Sequence, residues 1–206
     1  MSKNIRRRHA YAAQRKFEVL GRFVQAYELM VASVRDCCIT MTQPKGDFQG
    51  RAIRILLNHQ SMSAQSLWDV MRGLLAEVLS DKNNKFPKAD NDVALALTQQ
   101  LTDDWGKLTR RRNDFLHGTW RIGMEGVLDP EPPDALLVTK YKVTIKGLQS
   151  APPPKDVAEM KSLISDCRRL ESIIRRLEMC LGWGISINKN FRLDAKRRWQ
   201  VTELKI

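Results

Sequence analysis

A short stretch near the middle of the chain combines the residue types that phosphodiester chemistry needs. Three consecutive arginines, Arg110, Arg111 and Arg112, are followed by Asn113 and then by His117. Arginine clamps phosphate because its planar guanidinium donates paired hydrogen bonds. Histidine can take up and release a proton near neutral pH. The stretch therefore indicates either a site for phosphodiester chemistry or an ordinary basic helix end whose arginines are solvated.

The spacing of these residues on a helix decides which of them can act together. Successive residues are about 100° apart, so Asn113 lies roughly 40° from His117 and Arg110 roughly 20° from it. Arg112 lies about 140° from His117 and does not share its face on a straight helix. The two side chains can converge only if the helix end distorts or if a second copy of the helix supplies one of them.

The charge balance favours an anionic partner. The chain has 35 lysines and arginines against 23 aspartates and glutamates, which gives a formal net charge of +12. Nucleic acid is the commonest partner of such basic proteins, and a soluble basic protein without an anionic partner is the alternative.

The cysteines and the apolar runs predict the compartment. The four cysteines form no Cys-x-x-Cys pair and have no histidine at zinc-ligand spacing, so we expect buried thiols in a reducing compartment. The sequence has no Gly-rich phosphate loop and no carboxylate pair typical of a metal site, so we expect no metal and no cofactor. The N-terminal residues do not form a secretory signal, and no apolar run is long enough to span a membrane. These features predict a cytoplasmic protein without membrane contact.

Apolar residues that recur every three or four positions predict an all-α fold. The predicted helices cover residues 9–40, 48–79, about 90–116 and 156–181, with Asp90 or Asn91 as the cap of the third. Ser63 is expected to cap a second helix within 48–79, or to mark a kink there. In the first helix the predicted buried stripe comprises Phe17, Leu20, Val24, Tyr27, Val31 and Val34. In the last helix the predicted outer face carries Arg168, Arg169, Arg175 and Arg176.

The pattern changes after Gly118, which is placed as the left-handed residue that ends the third helix. Residues 119–127 are predicted as a short strand. Residues 137–146 are predicted as a half-buried strand, because apolar and polar residues alternate in that segment. We therefore predict one helical domain over residues 1–182 with a β-hairpin inserted at about 119–147. Residues 183–206 form a basic tail that could grip single-stranded nucleic acid by charge and stacking, or serve as a docked arm or dimer contact.

The segment from Arg112 to His117, which reads Arg-Asn-x-x-x-His and is followed by Gly118, resembles the catalytic motif of the HEPN superfamily (higher eukaryotes and prokaryotes nucleotide-binding domains). That motif is an arginine, usually a polar residue, several variable positions and a histidine. The context is similar too, since the motif closes a long helix near the middle of a small helical domain and another long helix follows.

The resemblance implies a HEPN-like helical bundle that acts on RNA as a homodimer. In that family two such helices face each other and bring both motifs into one cleft. The implied activity is that of a metal-independent endoribonuclease, in which the ribose 2′-hydroxyl attacks the adjacent phosphate. His117 would be the general base or acid, Arg112 would stabilise charge on the phosphoryl oxygens, and Asn113 would orient the groups. Such enzymes often act as toxins or in phage defence.

A noncatalytic module is the second hypothesis, because some family members keep the fold and only bind nucleotides or partners. Such a module would bind nucleic acid or a partner protein, for example an antitoxin or a regulator. The residues that we expect to contact nucleic acid are Arg110, Arg111, Lys196, Arg197 and Arg198.

Overall fold

The computed structural model describes residues 3–42, 47–59, 62–81, 86–116, 119–120, 138–144, 147–151 and 156–202. In chain order the elements are α1 (Lys3–Thr42), α2 (Asp47–Leu57), α3 (Ala64–Ser80), α4 (Lys88–Leu116), β1 (Thr119–Trp120), β2 (Val138–Thr144), β3 (Gly147–Ala151), α5 (Val157–Trp183), α6 (Ile187–Asn190), β4 (Phe191–Leu193) and β5 (Trp199–Val201). The described part of the chain is mostly helical, as its apolar spacing predicted. None of the described helices is long and apolar enough to cross a membrane.

The helix boundaries follow local capping chemistry. The region 48–79 contains two helices, and Ser63 caps the second by accepting a hydrogen bond from the Ser66 backbone N–H at 3.0 Å. Asp156 does the same for α5, accepting from the Glu159 N–H at 2.8 Å. Both caps satisfy amides that have no partner inside the helix, which is why the chain becomes helical there. The long helix α4 ends at Leu116 as predicted, and it begins at Lys88, two residues before Asp90.

The chain divides into two units. The first unit combines Met1–Tyr27 with Leu108–Asp166. Its described core includes Phe23 and Phe115, whose rings meet edge to face with centroids 5.2 Å apart. Such an edge-to-face contact is favourable because the positive ring edge of one aromatic meets the negative face of the other.

The inserted strands also belong to this first unit. They form an antiparallel sheet of order β1-β2-β3, in which Thr119 pairs with Thr139 and Lys140 pairs with Ala151. Thr119 and Trp120 therefore pair with β2 as the predicted hairpin requires, while residues 121–137 and 145–146 of that hairpin lie outside the described residues. The third strand was not predicted, because its sequence, Gly-Leu-Gln-Ser-Ala, lacks the β-branched and aromatic residues that mark strands.

The second unit combines Glu28–Lys107 with Cys167–Ile206. Its core includes the stacked rings of Trp68 and Trp105, with centroids 5.0 Å apart. The Trp68 indole N–H donates to the Thr102 hydroxyl at 3.2 Å, so the ring is buried without losing its polar partner. All four cysteines are free and buried here, as predicted.

One predicted stripe is wrong at its start. Phe17 is 58% exposed, whereas Val19 and Phe23 are buried. Apolar residues occupy two neighbouring lines along this part of α1, and helical spacing alone cannot tell which line is covered. The line through Phe23 is buried because it meets Phe115 of α4.

The predicted outer face of α5 is also wrong in part. Arg168 and Arg175 are exposed, but Arg169 is ion-paired with Asp104 of α4 and Arg176 donates to the Asn190 side chain at 3.2 Å. These two arginines are half-buried because they find acceptors on neighbouring elements, which a pattern read from one helix cannot include.

Candidate functional site

The last two turns of α4 direct the three consecutive arginines to different surroundings. Since neighbouring residues are about 100° apart around a helix, three in a row cannot share one face. Arg110 is exposed, Arg111 forms an ion pair with Glu159 in the first turn of α5, and Arg112 lies over the ring of Tyr27 in α1. The arginine cluster of the sequence is therefore three side chains with three different environments.

Arg112 is held by an aromatic ring and by its neighbour. Its guanidinium carbon lies 5.6 Å from the centre of the Tyr27 ring, within the range of a cation–π contact. Its Nη1 donates to Oδ1 of Asn113 at 3.3 Å. The Tyr27 hydroxyl in turn donates to Oγ1 of Thr109 at 3.1 Å. Arg112 and Asn113, the first two residues of the motif, are thus in direct contact, and Arg112 is half-buried.

Arg111 is largely engaged within the chain. Its side chain is 24% exposed, and its guanidinium pairs with the Glu159 carboxylate while lying 5.7 Å from the centre of the Phe115 ring. A carboxylate offers a guanidinium two oxygens in much the same geometry as a phosphate does. Arg111 is therefore already paired with a carboxylate of the chain, and of the two arginines predicted to bind nucleic acid here Arg110 is the exposed one.

His117 and Gly118 lie outside the described residues, so the predicted role of His117 as acid or base stays a prediction. The described part of α4 is helical up to Leu116, the residue directly before His117. The shared face of Asn113 and His117 remains an expectation from helix geometry.

The second predicted group of basic residues forms the turn between β4 and β5. The Asp194 carboxylate accepts the backbone N–H groups of Lys196 and Arg198, each at 2.8 Å. The Arg198 N–H, together with the other donors, holds the pKa of Asp194 below its usual value. Arg197 has a φ of 57°, a conformation that this tight turn requires and that side chains rarely adopt. The result is an ordered turn with Lys196 and Arg197 exposed and Arg198 paired with Asp194 at 3.5 Å.

The described part of the segment after Trp183 belongs to the second unit and is hydrogen-bonded there to residues of α4. Gln100 of α4 accepts the Trp199 N–H at 2.8 Å and donates to the Arg197 carbonyl at 2.7 Å. Asp90, which was predicted as a helix cap, instead accepts bonds from the Ser186 hydroxyl at 3.0 Å and the Asn188 N–H at 2.8 Å. Asp90 is 2% exposed, so its carboxylate is a buried anchor for this segment.

Two neighbours of the arginines were missed by the sequence argument. Tyr27 was assigned to the buried stripe of α1 alone, although a tyrosine in such a stripe needs a polar partner for its hydroxyl. Glu159 carried no signal at all, because nothing in its local sequence connects it to Arg111. The basic turn at Arg197 belongs to the second unit and the arginines of α4 named here to the first.

The chain was compared with protein-family models, with curated proteins and with solved structures, and none of the three comparisons gave a match. The interpretation of Arg112 and Asn113 therefore depends on their own geometry and on the motif in which they lie.

Proposed function

We propose that this chain is a metal-independent endoribonuclease of HEPN type, and that Arg112, Asn113 and His117 act on the scissile phosphodiester of RNA. The observation that supports this most is the placement of Arg112, whose guanidinium is held against Tyr27 and bonded to Asn113. A cation that is fixed before the substrate arrives needs little reorganisation when charge develops in the transition state.

The reaction requires one proton to leave and one to arrive. The 2′-hydroxyl loses its proton as its oxygen forms a bond to the adjacent phosphorus, and the bond from phosphorus to the 5′-oxygen breaks. The products are a 2′,3′-cyclic phosphate and a 5′-hydroxyl, which takes up a proton. His117 acts as the base for the first proton or the acid for the second. Arg112 stabilises the charge on the non-bridging oxygens, and Asn113 orients the reacting groups.

A homodimer completes this site. On a regular helix Arg112 and His117 lie about 140° apart, so a second copy of the chain is the source that we propose for the missing group. In a shared cleft Arg112 of one copy serves His117 of the other. Two copies also supply two histidines, so that one can act as base and the other as acid.

The test is an RNA cleavage assay in EDTA. The wild type and an Arg168→Ala control, which removes one exposed arginine of α5, are expected to cleave mixed RNA to products with 2′,3′-cyclic phosphate ends. Arg112→Ala and His117→Ala are expected to lose the activity. Cleavage that persists in His117→Ala, or that stops in EDTA, would contradict the proposal, and a chain that is monomeric at assay concentration would contradict the shared cleft.

The second candidate is a noncatalytic RNA-binding or protein-binding module. It is favoured by the turn that presents Lys196 and Arg197, because an ordered pair of exposed cations binds phosphate without needing chemistry. RNA binding that falls steeply with salt, without cleavage, would support it. By analogy with the family we also propose a cytoplasmic role as a toxin or phage-defence effector, with an antitoxin or regulatory protein as partner.

A further inference from the structure

We propose that Tyr27 is the positioning residue for Arg112, and that its ring holds the guanidinium where the scissile phosphate is bound. This inference rests on the proposed function, because it assigns Arg112 a phosphate to act on. Tyr27 lies on α1, more than 80 residues before the motif, and is not part of it.

Tyr27 contacts α4 at two points that are one helical turn apart. Its hydroxyl donates to Thr109 at 3.1 Å, and its ring face lies 5.6 Å from the guanidinium carbon of Arg112. Residues three apart lie roughly 60° from each other around a helix, so one side chain can touch both. The burial of the ring, together with the hydrogen bond to Thr109, restricts its orientation, and the ring face then restricts the place of the guanidinium.

Tyr27 also belongs to a cluster of buried aromatic rings. Phe23, one turn earlier on α1, lies 6.4 Å from it between ring centres, and Phe23 packs edge-on against Phe115. Tyr27 is 2% exposed, so the contact with Arg112 is largely shielded from water. A cation–π contact is stronger when it is desolvated, and it limits the rotamers that a long arginine side chain can sample.

A purely structural role for Tyr27 makes a different prediction from a positioning role. If the ring only fills the core, then any comparable loss of volume in the same aromatic cluster should have the same effect on activity. Phe23→Leu provides this matched control, because it removes a ring from the cluster without removing the ring that contacts Arg112.

The kinetic test compares Tyr27→Leu, Tyr27→Phe and Phe23→Leu in the EDTA cleavage assay. Tyr27→Leu is expected to lower kcat about tenfold, a change of about 1.4 kcal/mol, with KM within about twofold. Tyr27→Phe keeps the ring and is expected to stay within about threefold of wild type. Phe23→Leu is expected to lower Tm as Tyr27→Leu does while kcat is retained. An equal fall in kcat in Tyr27→Leu and Phe23→Leu would overturn the proposal.

A measurement that needs no activity separates this proposal from the proposed function. In an NMR spectrum of the full chain without RNA, the Nε–Hε signal of Arg112, assigned with Arg112→Lys, is expected to be shifted upfield by the Tyr27 ring. The shift should persist in Tyr27→Phe and Phe23→Leu and disappear in Tyr27→Leu. An unshifted wild-type signal overturns the positioning role even if Tyr27→Leu fails to fold. A shifted signal in a chain that does not cleave RNA supports positioning and overturns only the proposed nuclease.

Discussion

Removing the carboxylate that holds Arg111 should convert this arginine into a phosphate contact. Glu159→Gln leaves a neutral side chain of the same size, so the ion pair between α5 and α4 is lost while the packing is kept. Arg111 remains next to Phe115, and its charge is no longer neutralised by the Glu159 carboxylate, so that it attracts an RNA phosphate more strongly. We expect the variant to bind RNA more tightly than the wild type.

The magnitude follows from the exposure of the pair and from counterion release. The side chains of Arg111 and Glu159 are 24% and 31% exposed, so water already screens the pair and its loss should cost about 1 kcal/mol of stability or less. One added phosphate contact on single-stranded RNA steepens the dependence of log K on log salt concentration by about 0.7. If the added contact contributes nothing at about 1 M salt, this slope makes the affinity of the variant for RNA about fivefold higher than that of the wild type at about 0.1 M salt.

The assay is fluorescence anisotropy with a 2′-O-methylated RNA oligonucleotide, which lacks the attacking hydroxyl and stays intact. Titrations between about 0.05 and 0.2 M salt give both the affinity and its slope. Glu171→Gln is the matched control, because Glu171 pairs with Arg175 at 2.9 Å on α5 and its loss changes the net charge equally. An equal gain in both variants would show a general charge effect and refute the reasoning, as would an unchanged slope in Glu159→Gln.

Two further predictions concern the second unit. Asp90→Ala removes the acceptor of two hydrogen bonds from the segment after Trp183. Amide hydrogen exchange of residues 186–201 should then become at least about tenfold faster. Faster exchange that is confined to α4 would contradict the anchoring role of Asp90. Burial raises the pKa of the Cys38 thiol to about 12 and of Cys180 to about 11. The pKa of each thiol is higher in the folded chain than in the unfolded chain. The contribution of the neutral buried thiols to the free energy of unfolding is therefore complete below about pH 9, and it is lost as the pH rises toward 11 for Cys180 and 12 for Cys38. In urea unfolding, the free energy of unfolding of Cys38→Ala should therefore fall less steeply above pH 9 than that of the wild type. An identical pH dependence in the two proteins would contradict this prediction.

The helices could be predicted from the sequence because their signals are local. The cap at Ser63 and the end of α4 at Leu116 depend on residues within one turn of each boundary, and both predictions are confirmed. Which apolar residues of a helix are buried depends on the element that packs against it, and local signals do not predict this. Phe17 and Phe23 are equally apolar, and only the position of Phe115 decides that Phe23 is buried.

The same difference between local signals and contacts with distant elements applies to the candidate site. The motif named Arg112 and Asn113 because they are adjacent in sequence, and their side chains do meet. The side chains that contact Arg111 and Arg112 from other helices belong to distant parts of the chain. Tyr27 precedes Arg112 by more than 80 residues, and Glu159 follows Arg111 by more than 40. A sequence pattern carries no information about such neighbours unless the packing of the helices is already known.

Adjacent arginines can have opposite roles because a helix turns by about 100° per residue. Arg111 faces α5, where Glu159 neutralises it and joins the two helices. Arg112 faces α1, where its guanidinium lies over the ring of Tyr27. A ring restrains a guanidinium but leaves its N–H donors able to bond to an anion, whereas a carboxylate uses them. The two arginines therefore differ in the groups that hold them, which are a carboxylate for Arg111 and an aromatic ring together with Asn113 for Arg112.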